Sequence, residues 1–346
     1  MSTSQIDQSL EAAYAKLLPD FKQGAHLKLT EVLIKKLPTE FVSQEGNHIT
    51  LIYFVLGAIS LLNPAAAAAH FTQYIDPKAL ADYIYSLQVL PTEASPAQNC
   101  RNCGFQGTQE SLSPASRYRM ASIANTYAAL CVLRMIGDDY SRVDRQALAA
   151  ALRANQQPSG VFPNAPLVPD PEFAEHYASW SETGECDLRF VFSACAISAM
   201  IGDWSGIDKE RAIDYILKCR GFEGGGFAQN PGLESHGGST YCAVNALALM
   251  GALDRIPNKD RLVRWLLERQ VTGFQGRINK DPDSCYAFWI GASLKVLGKF
   301  DLVDKETLVG FLLSCQTSLG GFSKIPGVYP DPLHTYMSLC GLSFVF

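Results

Sequence analysis

The stretch Arg261-Leu262-Val263-Arg264-Trp265-Leu266-Leu267-Glu268-Arg269-Gln270-Val271-Thr272-Gly273-Phe274 contains a plan that the chain repeats. Its first ten residues carry apolar side chains on roughly one helical face, closed by Gln270. A Gly-Phe pair follows, where a tight helix-to-helix turn calls for positive φ and close backbone approach. Beyond it, the small and apolar run from Tyr286 to Leu297 reads as a second, buried helix.

The loop recurs as Cys103-Gly104-Phe105, Ser159-Gly160-Val161-Phe162, Gly224-Gly225-Gly226-Phe227 and Gly320-Gly321-Phe322. Its phenylalanines lie 57, 65, 47 and 48 residues apart, so the last units are regular and the earlier ones carry insertions. Gln157, Gln270 and Gln316 precede three of the loops. A period of this length matches two-helix repeats, and little period-two alternation or hairpin signal is present. The expectation is an all-α fold of helical hairpins. Periodicity leaves open whether they form a capped solenoid or a closed ring.

At 346 residues, 47% hydrophobic and 18% charged, the chain suits a soluble protein with a large core, as two domains or one. A net charge of −5 argues against nucleic acid as a partner, so any anion site is a local gathering of cations. No secretory signal is visible in Met1–Leu10. The apolar run Ile49–Leu62, fourteen residues, is too short to span a bilayer and reads as a buried helix. Most of the ten cysteines read as small buried hydrophobes in a reducing compartment.

Counted from the loop Phe, His236 lies 9 residues on, Cys285 lies 11 on and His334 lies 12 on. All three fall near the start of the second helix of successive repeats, and stacking in register would set them on one rim. The segment Gly276-Arg-Ile-Asn-Lys-Asp-Pro-Asp-Ser-Cys-Tyr-Ala-Phe-Trp289 then has two halves. Asp283 and Cys285, with His334, offer the three S, N and O donors of a catalytic zinc site. At a helix entry, with Asp283 near the N-cap after Pro282, residues i and i+2 can turn to one point. The competing reading is an N-cap Asp, a buried Cys and a core His.

His236, Arg277, Lys280, Tyr286 and Lys324 form an anion candidate, with His236 at a glycine-rich helix start. The competing reading is a solvated, charged loop. Cys100-x-x-Cys103 lacks a second such pair at zinc-ribbon distance. Asp138-Asp139 and Asp281-Pro-Asp283 do not complete a magnesium–diphosphate motif. Tyr53, Phe54, Tyr127, Phe190, Phe192, Tyr241, Phe288 and Trp289 suit either an apolar tunnel or plain core.

From about Leu51 to Phe346 the chain resembles the β subunit of the protein prenyltransferases, most of all the type I geranylgeranyl branch. The resemblance is carried by Ser86-Leu-Gln-Val-Leu-Pro-Thr-Glu93, Cys103-Gly-Phe105, Gly137-Asp-Asp-Tyr-Ser-Arg-Val143, Asn230-Pro-Gly-Leu-Glu-Ser-His-Gly-Gly-Ser-Thr-Tyr-Cys242 and Pro330-Asp-Pro-Leu-His-Thr-Tyr336. It implies an α/α toroid, a closed barrel of helical hairpins, as one catalytic domain over 1–346 with a peripheral segment at 1–20. It implies zinc on Asp283, Cys285 and His334, with the Cys of a C-terminal CaaX tail as fourth ligand. His236, Arg277, Lys280 and Tyr286 would hold the diphosphate of geranylgeranyl diphosphate. Lys324 matches the type I residue that stands where the farnesyl enzyme has a magnesium-binding Asp, so no magnesium requirement is expected.

Thr50 matches the position where the farnesyl enzyme has a tunnel-blocking Trp, which leaves room for a C20 chain. Phe54, Tyr127, Arg189, Phe192, Cys242 and Trp289 match isoprenoid-pocket or diphosphate-end positions. Phe54, Phe190 and Leu333 would touch the peptide tail, and Ser122 replaces a His found in the animal enzymes. The implied activity is transfer of the C20 group to the CaaX cysteine of small GTPases, X usually Leu. The implied setting is a cytoplasmic heterodimer with a prenyltransferase α subunit, not membrane-spanning. A farnesyltransferase β subunit and a non-catalytic toroidal binding module are the alternatives; Lys324 and Thr50 argue against the first, and the second expects no stoichiometric zinc.

Overall fold

The computed structural model describes residues 20–63, 75–91, 100–109, 120–166 and 185–345. The expected peripheral segment 1–20 lies, apart from Asp20, outside them. Twelve α-helices occur among the described residues: α1 (Gln23–Lys35), α2 (His48–Leu62), α3 (Pro77–Ser86), α4 (Ile123–Met135), α5 (Arg145–Asn155), α6 (Leu188–Ile201), α7 (Lys209–Lys218), α8 (Gly237–Leu249), α9 (Lys259–Leu267), α10 (Tyr286–Val296), α11 (Lys305–Ser314) and α12 (Pro332–Ser343). The only strands among the described residues are Gln88–Val89 and Gly104–Phe105, two residues each and antiparallel.

Each Gly-Phe loop joins the first helix of a pair to the second, and all five loop phenylalanines are fully buried. Burial of a Phe side chain is among the largest single apolar contributions a residue makes, about 1.5–3 kcal/mol. Three loops share a further device. The backbone N–H of Phe105, Phe227 and Phe322 donates to the hydroxyl of Thr126, Thr240 and Thr335, which stand in the second helices. The glycines answer to local sterics. Gly320 and Gly321 both adopt positive φ, and a Cβ on Gly273 would fall 2.2 Å from the Phe311 ring.

The glutamines before the loops lock neighbouring pairs together. Gln270 Nε2 donates to Asp304 O at 2.7 Å while Asp304 N–H donates to Gln270 Oε1 at 3.0 Å. Asp304 is the N-cap of α11, so the clamp holds a helix start whose polar groups are otherwise unsatisfied. Gln156 makes the same reciprocal bonds to Asp208, the N-cap of α7. The clamp therefore falls one residue before the expected Gln157, whose backbone N–H instead closes the turn to Val161 O. Gln316 takes the chain's N-terminal segment, accepting from Lys22 N–H at 3.0 Å and donating to Asp20 O at 3.3 Å.

The described chain divides into two compact units. One is drawn from Met1–Thr39, Phe54–Asp76 and Asp260–Phe346, the other from Glu40–Tyr53 and Pro77–Lys259. In the first unit α10 and α12 pack so closely that a Cβ on Gly341 would lie 2.5 Å from that of Ala287. There, too, His26 of α1 is fully buried, stacked 4.7 Å from the Phe322 ring. In the second unit α4, α6 and α8 pack in series. Their core is apolar on nearly every side, whereas α7 keeps a polar face.

The stretch Thr39–Leu62, a 3₁₀ segment running into α2, is by length and composition the one described helical stretch able to cross a membrane. Ile49, Leu56, Ile59 and Leu62 are buried within the fold, as expected for Ile49–Leu62 read as a core helix. All ten cysteines are free, and seven are buried.

Candidate active site

Three consecutive loops are built alike. Five residues beyond Phe227, Phe274 and Phe322 stand Gly232, Asn279 and Gly327, all with positive φ. Asn is the side chain that tolerates this conformation where Gly is absent. Nine residues beyond the same phenylalanines, His236, Asp283 and Asp331 each donate a backbone N–H to the Phe carbonyl, at 3.0, 3.1 and 3.4 Å. This hydrogen-bond register makes Asp283 and Asp331 the counterparts of His236. Cys285 and His334 come two and three residues later, at the entrance of α10 and α12. The N-cap of α10 is Cys285 rather than Asp283; Asp283 sits two residues earlier and accepts from Cys285 N–H at 3.0 Å.

In the first unit, Asp283, Cys285 and His334 bring one ligand atom each to within 4.8 Å of one another. His334 Nε2 lies 3.3 Å from Asp283 Oδ1. Its other ring nitrogen, Nδ1, lies 2.6 Å from Asp331 Oδ2, and Asp331 Oδ1 accepts from the His334 backbone N–H at 2.9 Å. One carboxylate thus caps α12 and fixes the ring, with Nε2 turned to the cluster. Ser284 ties the two hairpins, its N–H donating to Lys324 O and its hydroxyl to Ser323 O.

The charges of the cluster are strongly coupled. Burial alone would raise the Asp283 carboxyl, but hydrogen bonds from His334 and Cys285 hold it below its usual range. Burial disfavours a charged His334, yet its bonds to Asp283 and Asp331 raise it to about 9. Burial, then the adjacent Asp283 charge, push the Cys285 thiol well above its usual value. A buried thiol with a half-buried carboxylate and imidazole facing one point fits a divalent cation that accepts S, O and N donors. The ring nitrogen bound to Asp331 supplies the carboxylate–histidine support such sites use.

Lys324 extends its ammonium to 3.8 Å from Asp283 Oδ2 and is largely exposed. Arg277 and Lys280 close a turn, Lys280 N–H to Arg277 O at 3.4 Å, and both side chains are exposed. Tyr286 lies against Gly276, where a Cβ would fall 2.1 Å from its ring. Burial raises its phenol, and the Arg277 charge opposes that rise. The first unit therefore gathers the metal candidates together with four of the five anion candidates. Trp289 hydrogen-bonds the Cys285 thiol, Phe54 packs 6.1 Å from Tyr336, and Leu333 is half-buried in the first turn of α12.

The remaining candidates belong to the second unit. His236 caps α8 with its own ring, Nδ1 accepting from Gly238 and Ser239 N–H. Two backbone donors expected to face an anion are thereby used, and the ring proton is placed on Nε2. Arg189 is held by Asp187, the buried N-cap of α6, and by Glu185. Phe190 is buried beneath the Arg189 guanidinium, and Cys242 is buried in α8. Tyr127 and Phe192 stand in an edge-to-face row, Tyr53–Tyr127–Phe192–Tyr241, with centroids 6.0, 5.6 and 5.2 Å apart. Thr50 bonds to Asn125, and Ser122 is the N-cap of α4. Asp331 and Asn125 were missed in the sequence. Asp331 had a signal, an Asp before Pro at a helix entry; Asn125 had none.

The chain matches the prenyltransferase alpha-alpha toroid domain over residues 21–345. It is 42% identical to the geranylgeranyl transferase type-1 subunit beta of Dictyostelium discoideum, over 90% of this chain and 87% of that one. With the Arabidopsis thaliana protein of the same description it shares 38% identity, over 94% and 85%. The protein farnesyltransferase subunit beta of Schizosaccharomyces pombe is less similar, at 28% over 94% and 78%. Among solved structures, Candida albicans protein geranylgeranyltransferase-I complexed with GGPP superposes with a TM-score of 0.78 at 24% identity, over 94% of this chain and 91% of that one.

Proposed function

Because the chain belongs to the prenyltransferase alpha-alpha toroid family, we propose that it is the catalytic β subunit of a zinc-dependent protein geranylgeranyltransferase type I. It transfers a C20 group from geranylgeranyl diphosphate to the cysteine of a CaaX tail, working with an α subunit in the cytoplasm. The observation that carries this reading is the Asp283, Cys285 and His334 cluster with Lys324 at its edge. The free, mostly buried cysteines support a reducing compartment.

Asp283, Cys285 and His334 would hold the zinc, whose Lewis acidity would let the acceptor thiol give its proton to solvent and react as a thiolate at neutral pH. The sulfur–C1 bond forms as C1–O breaks, and the electron pair leaves on the diphosphate. Arg277, Lys280 and Lys324 offer positive charge to that leaving group, and Tyr286 a phenolic donor. Charge builds there in the transition state, so fixed cations bind it more strongly than the ground state. His236 presents Nε2–H as a donor to an anionic group. Asp331 holds His334 in the tautomer that leaves Nε2 for the metal. The aromatic row, Thr50 and Cys242 provide wall for the isoprenoid; Phe54, Arg189, Phe190, Trp289 and Leu333 complete the donor and peptide contacts.

The test is prenyl transfer by the complex with its α subunit to Cys-a-a-Leu and Cys-a-a-Ser peptides, offered both diphosphates. We expect C20 transfer to the Leu-ending peptide, with about one zinc per chain that is lost in Cys285→Ala. Preferential use of the C15 donor would overturn the assignment.

A further inference from the structure

The carboxamide of Asn125 is held on both ends in the second unit. Thr50, in the first turn of α2, donates its hydroxyl to Asn125 Oδ1 at 3.4 Å across 75 residues of sequence. Asn125 Nδ2 donates to Gly46 O at 3.2 Å, and its backbone N–H donates to Ser122 Oγ at 3.0 Å. The side chain is buried, and Gly107 closes over it. A Cβ on Gly107 would lie 2.7 Å from Nδ2 and 1.8 Å from Gly46 O. Ile49 N–H donates to Gly107 O at 3.0 Å, tying the same loop to α2. The Gly46 carbonyl accepts only from the amide NH₂, so the carboxamide cannot flip and Oδ1 must face Thr50.

Thr50 stands one turn before Tyr53 on the same face of α2, and Tyr53 ends the aromatic row. Thr carries a hydroxyl and a methyl on one carbon, and anchoring the hydroxyl fixes χ1 and the methyl with it. A hydroxyl left to rotate against an alkyl chain would lose a hydrogen bond there, at a cost an apolar group does not incur.

Resting on the geranylgeranyl reading above, we propose that Asn125 is a positioning residue for donor chain length. It takes up the Thr50 hydroxyl, so the far end of the isoprenoid meets the Thr50 methyl. The experiment is a competition between C20 and C15 diphosphates using the complex with its α subunit, read as the ratio of kcat/KM. Asn125→Ala is expected to lower the C20:C15 ratio about tenfold, the scale on which apolar pockets discriminate chain units. Thr50→Val has no hydroxyl to hold, so adding Asn125→Ala in the Thr50→Val background is expected to leave the ratio where Thr50→Val alone sets it. A merely structural Asn125 would lower the ratio in either background.

An unchanged ratio in Asn125→Ala overturns the proposal. So does a fall of the same size when Asn125→Ala is added to Thr50→Val. Wild-type preference for the C15 donor would instead sink the geranylgeranyl reading itself.

Discussion

His334 is gripped twice by one carboxylate, backbone and ring both bonding to Asp331. That grip decides which ring nitrogen a metal meets, and it raises the proton affinity of the ring. Asp331→Asn keeps an N-cap acceptor for α12 while weakening the charge behind the ring. Zinc affinity is expected to fall about 10–100-fold, measured by competition with a chelator of known affinity. An unchanged affinity would show that Asp331 serves only the helix. Asp283 and His334 lie 3.3 Å apart, a contact strengthened when His334 carries its proton. Metal must displace that proton and the Cys285 thiol proton, so zinc affinity should rise with pH through about 9, where His334 releases its proton, and keep rising beyond it while Cys285 stays a thiol.

Elements are held by devices of the same modest size, repeated. α1 is fastened to the last loop through His26, whose Nδ1 accepts from Gly321 N–H at 2.7 Å and whose Nε2 meets Gln316 Oε1 at 2.9 Å. Burial, partly opposed by the Gln316 bond, lowers the pKa of this ring. The folded value lies below the unfolded one, so the unfolded chain binds more protons and stability is lost as pH falls below about 6.5. Protonated Nδ1 could no longer accept from Gly321. Thermal unfolding of the zinc-loaded chain should therefore show a Tm falling on acidification, with a shallower slope in His26→Gln. An unaltered slope would clear His26 of the effect. The buried loop residue Phe322, stacked on His26, belongs to the same joint. Phe322→Ala should cost about 3–5 kcal/mol, read from denaturant midpoints.

These elements explain what could be read in advance. The Gly-Phe loops were legible because a fully buried Phe beside obligatory glycines recurs in sequence as it does in space. The donors Asp283, Cys285 and His334 were legible because each type is chemically distinctive near a helix start. Their fine register was not. Whether a helix begins one residue sooner depends on backbone bonds such as Asp283 N–H to Phe274 O, which no residue type announces. Asn125 was invisible for another reason: its partners Gly46 and Thr50 lie 79 and 75 residues away.

At the scale of the whole molecule, the net charge of −5 sets the terms for handling a diphosphate. The chain as a whole repels the ligand, so attraction must come from the cations set around one carboxylate-bearing cluster. Lys324 is among them, 3.8 Å from Asp283, and its charge travels with the fold rather than with the buffer. A lysine so placed can neutralise a leaving diphosphate without a second metal ion, so turnover is expected to be insensitive to millimolar magnesium. Lys324→Ala should lower kcat by on the order of 10–100-fold, somewhat less than loss of a buried oxyanion donor because the ammonium is exposed. Lys324→Asp would place a carboxylate beside Asp283 and convert the deficit into a magnesium requirement, since only a cation could then bring the two negative groups together. The measurement is the magnesium dependence of single-turnover transfer for the three proteins at fixed zinc. A wild-type enzyme stimulated severalfold by magnesium would show that Lys324 does not carry the leaving group's charge. A Lys324→Asp variant indifferent to magnesium would show that the side chain does not face it.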